Sequence, residues 1–177
     1  MNVAVYCSSR QGLEQEYIDL AQALGRWIGA NGHTLVYGGV NAGLMHEVAQ
    51  ACHDVAGHIV GINIEAFKHR TDALVDEVIY TADLGERKAK MYQLADTFVV
   101  LPGGLGTADE WIATLSQLVV DGDESRIIVV ANLHGLYDSL LRYLDEMAHS
   151  PFARDRHLDR SVVANSQEEL IEKLNEI

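Results

Sequence analysis

The 177 residues suit one compact domain spanning 1–177, and 48% apolar with 22% charged residues is the profile of a soluble globular chain rather than a disordered one. A formal net charge of −13 argues against a nucleic-acid polymer as partner, and apolar runs no longer than a strand leave nothing to cross a membrane. Met1-Asn2 passes straight into Val3-Ala4-Val5-Tyr6 without a secretory signal, and Cys7 and Cys52 lie far apart as expected of reduced thiols, so the expected compartment is cytoplasmic.

In chain order, Val3–Cys7 reads as a buried strand, and Tyr17, Leu20, Ala21, Leu24, Trp27 and Ile28 recur at helical spacing until Asn31-Gly32. Thr34–Tyr37 is a second strand, followed by Gly38-Gly39 and a helix through Leu44, Val48 and Ala51. Ile59–Ile64 and Val75–Tyr80 are strand candidates separated by a polar loop. A helix over about 84–95 leads into the strand Thr97–Leu101. Helix 107–120, strand 126–131, helix 136–148, strand 161–164 and a helix from Ser166 complete the alternation. Such alternation predicts an α/β, Rossmann-like three-layer fold with a mostly parallel sheet. Ligands of such sheets bind beyond the carboxyl ends of the strands. Three strand ends carry unusual residues that should face one crevice: Cys7-Ser8-Ser9, Tyr37-Gly38-Gly39 and Leu101-Pro102-Gly103-Gly104.

The strongest local signal is Leu101-Pro-Gly-Gly-Leu-Gly-Thr-Ala-Asp-Glu110, between a buried strand and an amphipathic helix. Gly103, Gly104 and Gly106 allow close backbone approach, and the helix start offers free N–H groups and a positive dipole end to a phosphate. A tight turn with a capped helix is the competing reading, because Thr107-Ala-Asp-Glu110 has capping-box spacing, as does Ser166-Gln-Glu-Glu169. Arg87, Lys88 and Lys90 put three of the 13 Lys and Arg within four residues. Leu84, Arg87, Met91 and Leu94 share one helical stripe, so Arg87 either meets a partner or ligand or snorkels to water. A guanidinium suits a phosphate or developing negative charge.

The segment Tyr37-Gly-Gly-Val-Asn-Ala-Gly43-Leu-Met-His also follows a strand, but no acidic ribose ligand follows to make it a dinucleotide site. The eight histidines form no HxxxH or HxH pair, so no metal is expected, and no cofactor is called for. Ser8 and Ser9 either donate to a ligand or simply form a turn.

Together these segments resemble the LOG (Lonely Guy) family, the cytokinin riboside 5′-monophosphate phosphoribohydrolases, over essentially the whole chain. The centre of the match is Glu86-Arg87-Lys88 followed by Pro102-Gly-Gly-Leu-Gly-Thr-Ala-Asp-Glu110. Supporting segments are Tyr6–Ser9, Leu35–Gly39, Gly43–Met45 and Gly57–Gly61. The resemblance implies Arg87 and Glu110 as the catalytic pair, a 5′-phosphate held by the Gly104–Thr107 turn, and a homodimer paired through the helix after that turn. The wider candidate set for substrate and phosphate binding is Lys88, Gly103, Gly104, Leu105, Gly106, Thr107, Asp109, Ser116, Ser8 and Gly39. The implied reaction is hydrolysis of the base–ribose bond of a nucleoside 5′-monophosphate, AMP or a cytokinin nucleotide. The family's "lysine decarboxylase" label finds no lysine-bearing pyridoxal-phosphate pattern here. The chain departs from the family pattern at Val40 and His46, where glycines are usual, at Ala113, where a second glutamate is common, and at Ser116-Gln117, where Thr-Trp is usual. A glutamate often found before the arginine falls on His69. These departures are expected on the side that holds the base. The rival reading is a non-catalytic nucleotide or cofactor carrier on the same scaffold, which has no need of Arg87 and Glu110 as a pair.

Overall fold

Seven short apolar segments pair in parallel throughout, as expected of strands buried on both faces. The computed structural model of the chain describes residues 1–153 and 160–177. In order along the chain these are β1 (Asn2–Tyr6), α1 (Gln15–Ala30), β2 (Thr34–Tyr37), α2 (Gly43–His53), β3 (His58–Ile64) and β4 (Glu77–Thr81). There follow α3 (Leu84–Leu94), β5 (Thr97–Val100), α4 (Leu105–Asp121), β6 (Ile128–Ala131), α5 (Asp138–Ala148), β7 (Ser161–Ala164) and α6 (Gln167–Asn175). The sheet order is β4-β3-β2-β1-β5-β6-β7, so the winding reverses on either side of the central β1.

Side-chain alternation sorts the core into two layers. Val3, Val5, Leu35, Tyr37, Val99 and Val129 face α1, α2 and α6, whereas Ala4, Tyr6, Val36, Phe98, Val100 and Val130 face α3, α4 and α5. The helices α1 and α2 lie close together because Gly25 carries no side chain. A Cβ there would come within 3.0 Å of Ala51 Cβ and Cys52 N. No helix among the described residues is long and apolar enough to cross a membrane.

Three local expectations are corrected. The helix expected from 107 starts at Leu105 with Gly104 as its N-cap, so Thr107 and Glu110 lie inside it and form no capping box. Capping does occur at α6, where Ser166 Oγ accepts from Glu169 N–H, and at α3, where Asp83 accepts from Glu86 N–H. In both, the glutamate reaches back one residue further, to the N–H of Asn165 or Ala82. The strand expected from Val75 begins at Glu77, because Asp76 is held across the ladder: its N–H donates to Ile59 O and its carboxylate accepts from Ile59 N–H. Finally, the polar loop before β4 is not shapeless. Glu65–Arg70 forms a 3-10 turn, and no α-helix crosses between β3 and β4.

The apolar face of α4 divides. Trp111, Leu115 and Leu118 are buried, Ile112 and Val119 are half-buried, and Val120 is 75% exposed.

Candidate active site

The reversal of winding at β1 opens a crevice at the strand ends, and backbone hydrogen bonds define its floor. Leu101 N–H donates to Tyr6 O at 2.9 Å, Ser8 N–H to Pro102 O at 3.1 Å, and Leu44 N–H to Ser8 O at 2.9 Å. The ends of β1 and β5 and the start of α2 are thus joined. Gly43 permits this approach: its φ is +54°, and a Cβ would sit 2.7 Å from Ser9 C and 2.8 Å from Arg10 N. Above this floor is a cleft of about 300 Å³.

In its wall, Arg87 Nη2 donates to Glu110 Oε1 at 2.5 Å, joining α3 to α4. Both side chains are nearly enclosed, with Arg87 at 9% and Glu110 at 3% exposure. Burial pushes the Glu110 carboxyl above its ordinary pKa, and the Arg87 guanidinium opposes that rise. Arg87 Nε is buried with no partner among the described residues, so the guanidinium retains an unused donor. Thr114, one turn beyond Glu110, bonds the Tyr6 hydroxyl at 2.7 Å and so ties α4 to β1. Leu84 is 48% exposed, so the apolar stripe expected on α3 stops short of it, and Leu84 stands at the rim of the cleft.

Gly104, Gly106 and Thr107 line the cleft beside this pair, and no side chain caps α4. Gly103 packs under Thr107: a Cβ there would lie 2.6 Å from Thr107 Cβ. Lys88 Nζ donates to both carboxylate oxygens of Asp109, at 2.7 and 2.8 Å, and both residues line the cleft. Ser8 lines the cleft while its Oγ accepts from Arg10 N–H, so the turn and an exposed polar edge coexist. Other candidates lie elsewhere. Leu105 is 88% exposed beside the turn, and Ser116 lies on the exposed side of α4, outside the cleft lining. Gly39, with φ +67°, packs against Gly61 and its carbonyl accepts from Asp72 N–H; it is not among the residues lining the cleft.

Met45, from the supporting segment Gly43–Met45, lines the cleft, and residues not singled out in the sequence complete it: Arg10, Phe67 and Arg70. Phe67 and Arg70 come from the connection between β3 and β4, and the run Lys68-His69-Arg70 was their available signal. Arg10, Arg70, Arg87 and Lys88 face Asp109 and Glu110, leaving a surplus of positive charge in a chain of net −13. The departures from the family pattern do not cluster on one side of the cleft. Val40 lines it, but Ala113 and Gln117 line a separate hollow of about 470 Å³ between α3 and α4. That larger hollow holds no arginine–glutamate pair. Among the described residues, no three His, Cys, Asp or Glu side chains gather as a metal site.

The chain is similar to known proteins along nearly its whole length. A family model described as "possible lysine decarboxylase" matches residues 45–174. The cytokinin riboside 5′-monophosphate phosphoribohydrolase LOG3 of Arabidopsis thaliana is 35% identical over 176 residues, covering 98% of this chain and 81% of the relative. The enzyme of the same description named LOG in Oryza sativa subsp. japonica is 34% identical, with 98% and 72% covered. Among solved structures, the molybdenum cofactor binding protein of Rippkaea orientalis superposes with a TM-score of 0.78 at 22% identity, covering 99% of this chain and 95% of that one. The molybdenum cofactor carrier protein of Chlamydomonas reinhardtii gives 0.75 at 19% identity, with 99% and 96% covered. At those identities the likeness is one of fold.

Proposed function

The chain belongs to the LOG family, and from that premise we propose that it hydrolyses the N-glycosidic bond of a nucleoside 5′-monophosphate, releasing the free base and ribose 5-phosphate. The observation that carries the reading is the enclosed Arg87–Glu110 pair beside an uncapped helix start. The phosphate would sit on the Gly104–Thr107 turn, where backbone N–H groups and the α4 dipole favour an anion. The surplus of cationic side chains supports the same placement.

With the phosphate anchored there, the ribose lies in register with Glu110. As the C1′–N bond lengthens, its electron pair leaves with the base and positive charge spreads over C1′ and the ring oxygen. The Glu110 carboxylate stabilises that charge and takes a proton from the attacking water, whose oxygen bonds C1′. The proton ends on the departing base nitrogen. Arg87 opposes the rise that burial imposes on the Glu110 carboxyl and fixes its orientation. Decarboxylation through a lysine imine fits poorly: Lys88, the lysine in the cleft lining, is bound by both oxygens of Asp109 and is no free amine. A passive carrier leaves the buried ion pair without a use, since enclosing two charges costs several kcal/mol per ion before their attraction offsets it.

Two copies pair through α4, a reading supported by the half-buried Ile112 and Val119 and the exposed Val120 on a helix already packed on its other side. The decisive experiment is incubation with AMP and chromatography of the products. Adenine and ribose 5-phosphate in equal amounts are expected; intact AMP after prolonged incubation at high enzyme concentration would refute the hydrolytic reading.

A further inference from the structure

Val40 and His46, the two positions that depart from the family's glycines near the second strand end, converge on adjacent residues of one segment. Val40 forms an antiparallel bridge with Thr71, and His46 Nδ1 donates to Asp72 Oδ2 at 2.7 Å. Both contacts fasten the connection between β3 and β4, which spans residues 65–76 and carries Phe67 and Arg70 into the cleft. Further bonds hold it at the same seam. Asn41 N–H donates to Arg70 O, Asp72 N–H donates to Gly39 O, and Asn63 Nδ2 donates to Phe67 O and Thr71 Oγ1.

Most of these bonds come from backbone, or from a strand that is itself fixed. His46 is different, being a helix side chain reaching across to the segment. Asp72 is enclosed at 2% exposure; its Oδ1 accepts from Leu74 N–H, and His46 is the side-chain donor to its Oδ2. Without His46 that oxygen would be buried and unpaired, and the segment could relieve it only by moving Asp72 toward water. Phe67 and Arg70, five and two residues earlier, would move with it.

The sheet order says which part of a substrate this matters to. The Gly104–Thr107 turn follows β5, on one side of β1. The 65–76 segment follows β3, beyond β2 on the other side. A ligand with its phosphate on the turn and its ribose at Glu110 therefore points its base at Phe67 and Arg70. Their own geometry suits a flat, electron-rich ring: Arg70 Cζ lies 5.7 Å from the Phe67 ring centroid, an apolar face beside a planar cation.

We propose that the 65–76 segment is the base-recognition wall of the cleft, and that the His46–Asp72 bond is the positioning device that holds it in place. The inference rests on the cleft being a nucleoside monophosphate site, but not on the reaction that follows. Its ligand class is a purine or similarly flat nucleobase, read by stacking and a guanidinium.

The test is calorimetric titration of AMP and ribose 5-phosphate into the wild-type protein and the variants His46→Ala, His46→Asn and Arg70→Ala, with adenine release measured alongside. Asn can present a donor near the position of the His Nδ1. His46→Ala and Arg70→Ala should each weaken AMP binding at least about tenfold, and ribose 5-phosphate, which lacks the base, less than about twofold. His46→Asn should restore AMP binding to within about threefold of wild type. Unchanged AMP binding in His46→Ala, or equal losses for both ligands, would overturn the proposal. If His46→Ala does not fold, Arg70→Ala decides the wall by the same comparison, and His46→Phe, which keeps a ring but offers Asp72 no donor, replaces His46→Ala. A wild-type protein that binds both ligands but releases no adenine refutes hydrolysis and leaves the wall standing. One that binds neither overturns both readings.

Discussion

Glu110 and Thr114 stand one helical turn apart on α4, and each is held by a different layer: Glu110 by Arg87 of α3, Thr114 by the hydroxyl of Tyr6 in β1. The carboxylate is therefore fixed from both directions before any ligand arrives, which is what a positioned base requires.

Glu110→Gln should lower kcat by at least about a hundredfold, the usual range for a lost general base, while AMP binding and folding persist. Gln still offers Arg87 an acceptor. Arg87→Ala should behave differently. It leaves the Glu110 carboxylate buried without its cation, a loss of about 3–5 kcal/mol of stability that thermal denaturation would register. Near-wild-type turnover in Glu110→Gln would remove Glu110 from the mechanism.

The pH profile follows from the direction of the Glu110 shift. Burial raises its pKa, so on acidification the proton returns sooner than to an ordinary glutamate. The acid limb of kcat/KM for AMP should accordingly lie above the ordinary glutamate range. Stability has the opposite sense: protonation relieves a buried charge, so the contribution of Glu110 grows as pH falls through the raised pKa and is lost as pH rises through it. An acid limb at or below the ordinary glutamate value would contradict this assignment.

Adenosine should be cleaved at least about a hundredfold less efficiently than AMP, since each charge-assisted hydrogen bond to the phosphate contributes roughly 1.5–3 kcal/mol. Gly104→Val separates ligand contact from folding. A Cβ at Gly104 meets no protein atom within 4 Å, and its φ of −96° is not the left-handed value that demands glycine. The variant should keep its thermal stability and lose AMP turnover. Equal kcat/KM for AMP and adenosine would show the turn to be structural only.

Light scattering should give twice the 19.5 kDa chain mass at micromolar concentration. Val120→Lys should shift the population toward monomer, because it places a charge on a largely exposed apolar side chain of that face. A wild-type mass of one chain would rule the pairing out.

Much of the fold was legible because buried parallel strands are continuous apolar runs and amphipathic helices keep their period. Arg87 stood out because a charge interrupted an apolar stripe, and its enclosure bears out that reasoning. The helix signal of Thr107–Glu110 misled because capping-box spacing is a local rule, whereas Gly104 had already started the helix. Phe67 and Arg70 were not assigned from sequence: the basic run Lys68-His69-Arg70 was visible, but nothing periodic marks a 3-10 turn. Their position depends on a contact from His46, some twenty residues away. The base-side departures were grouped by neighbourhood in a pattern, but α4 turns Ala113 and Gln117 away from the cleft that Val40 lines.

The β3–β4 connection also bears on how such a protein could diversify. It joins an edge strand to its neighbour without an α-helix, and its first half, residues 65–70, is exposed. Changes there would leave the core layers in place while Leu74 and Val75 stay packed beneath. Glu110, by contrast, sits on a helix tied to the central strand through Thr114 and Tyr6. Exchanging the 65–76 segment between relatives, together with the residue at position 46 that holds it, should therefore carry substrate preference with it as a portable module. The bond-breaking apparatus would stay behind in the host.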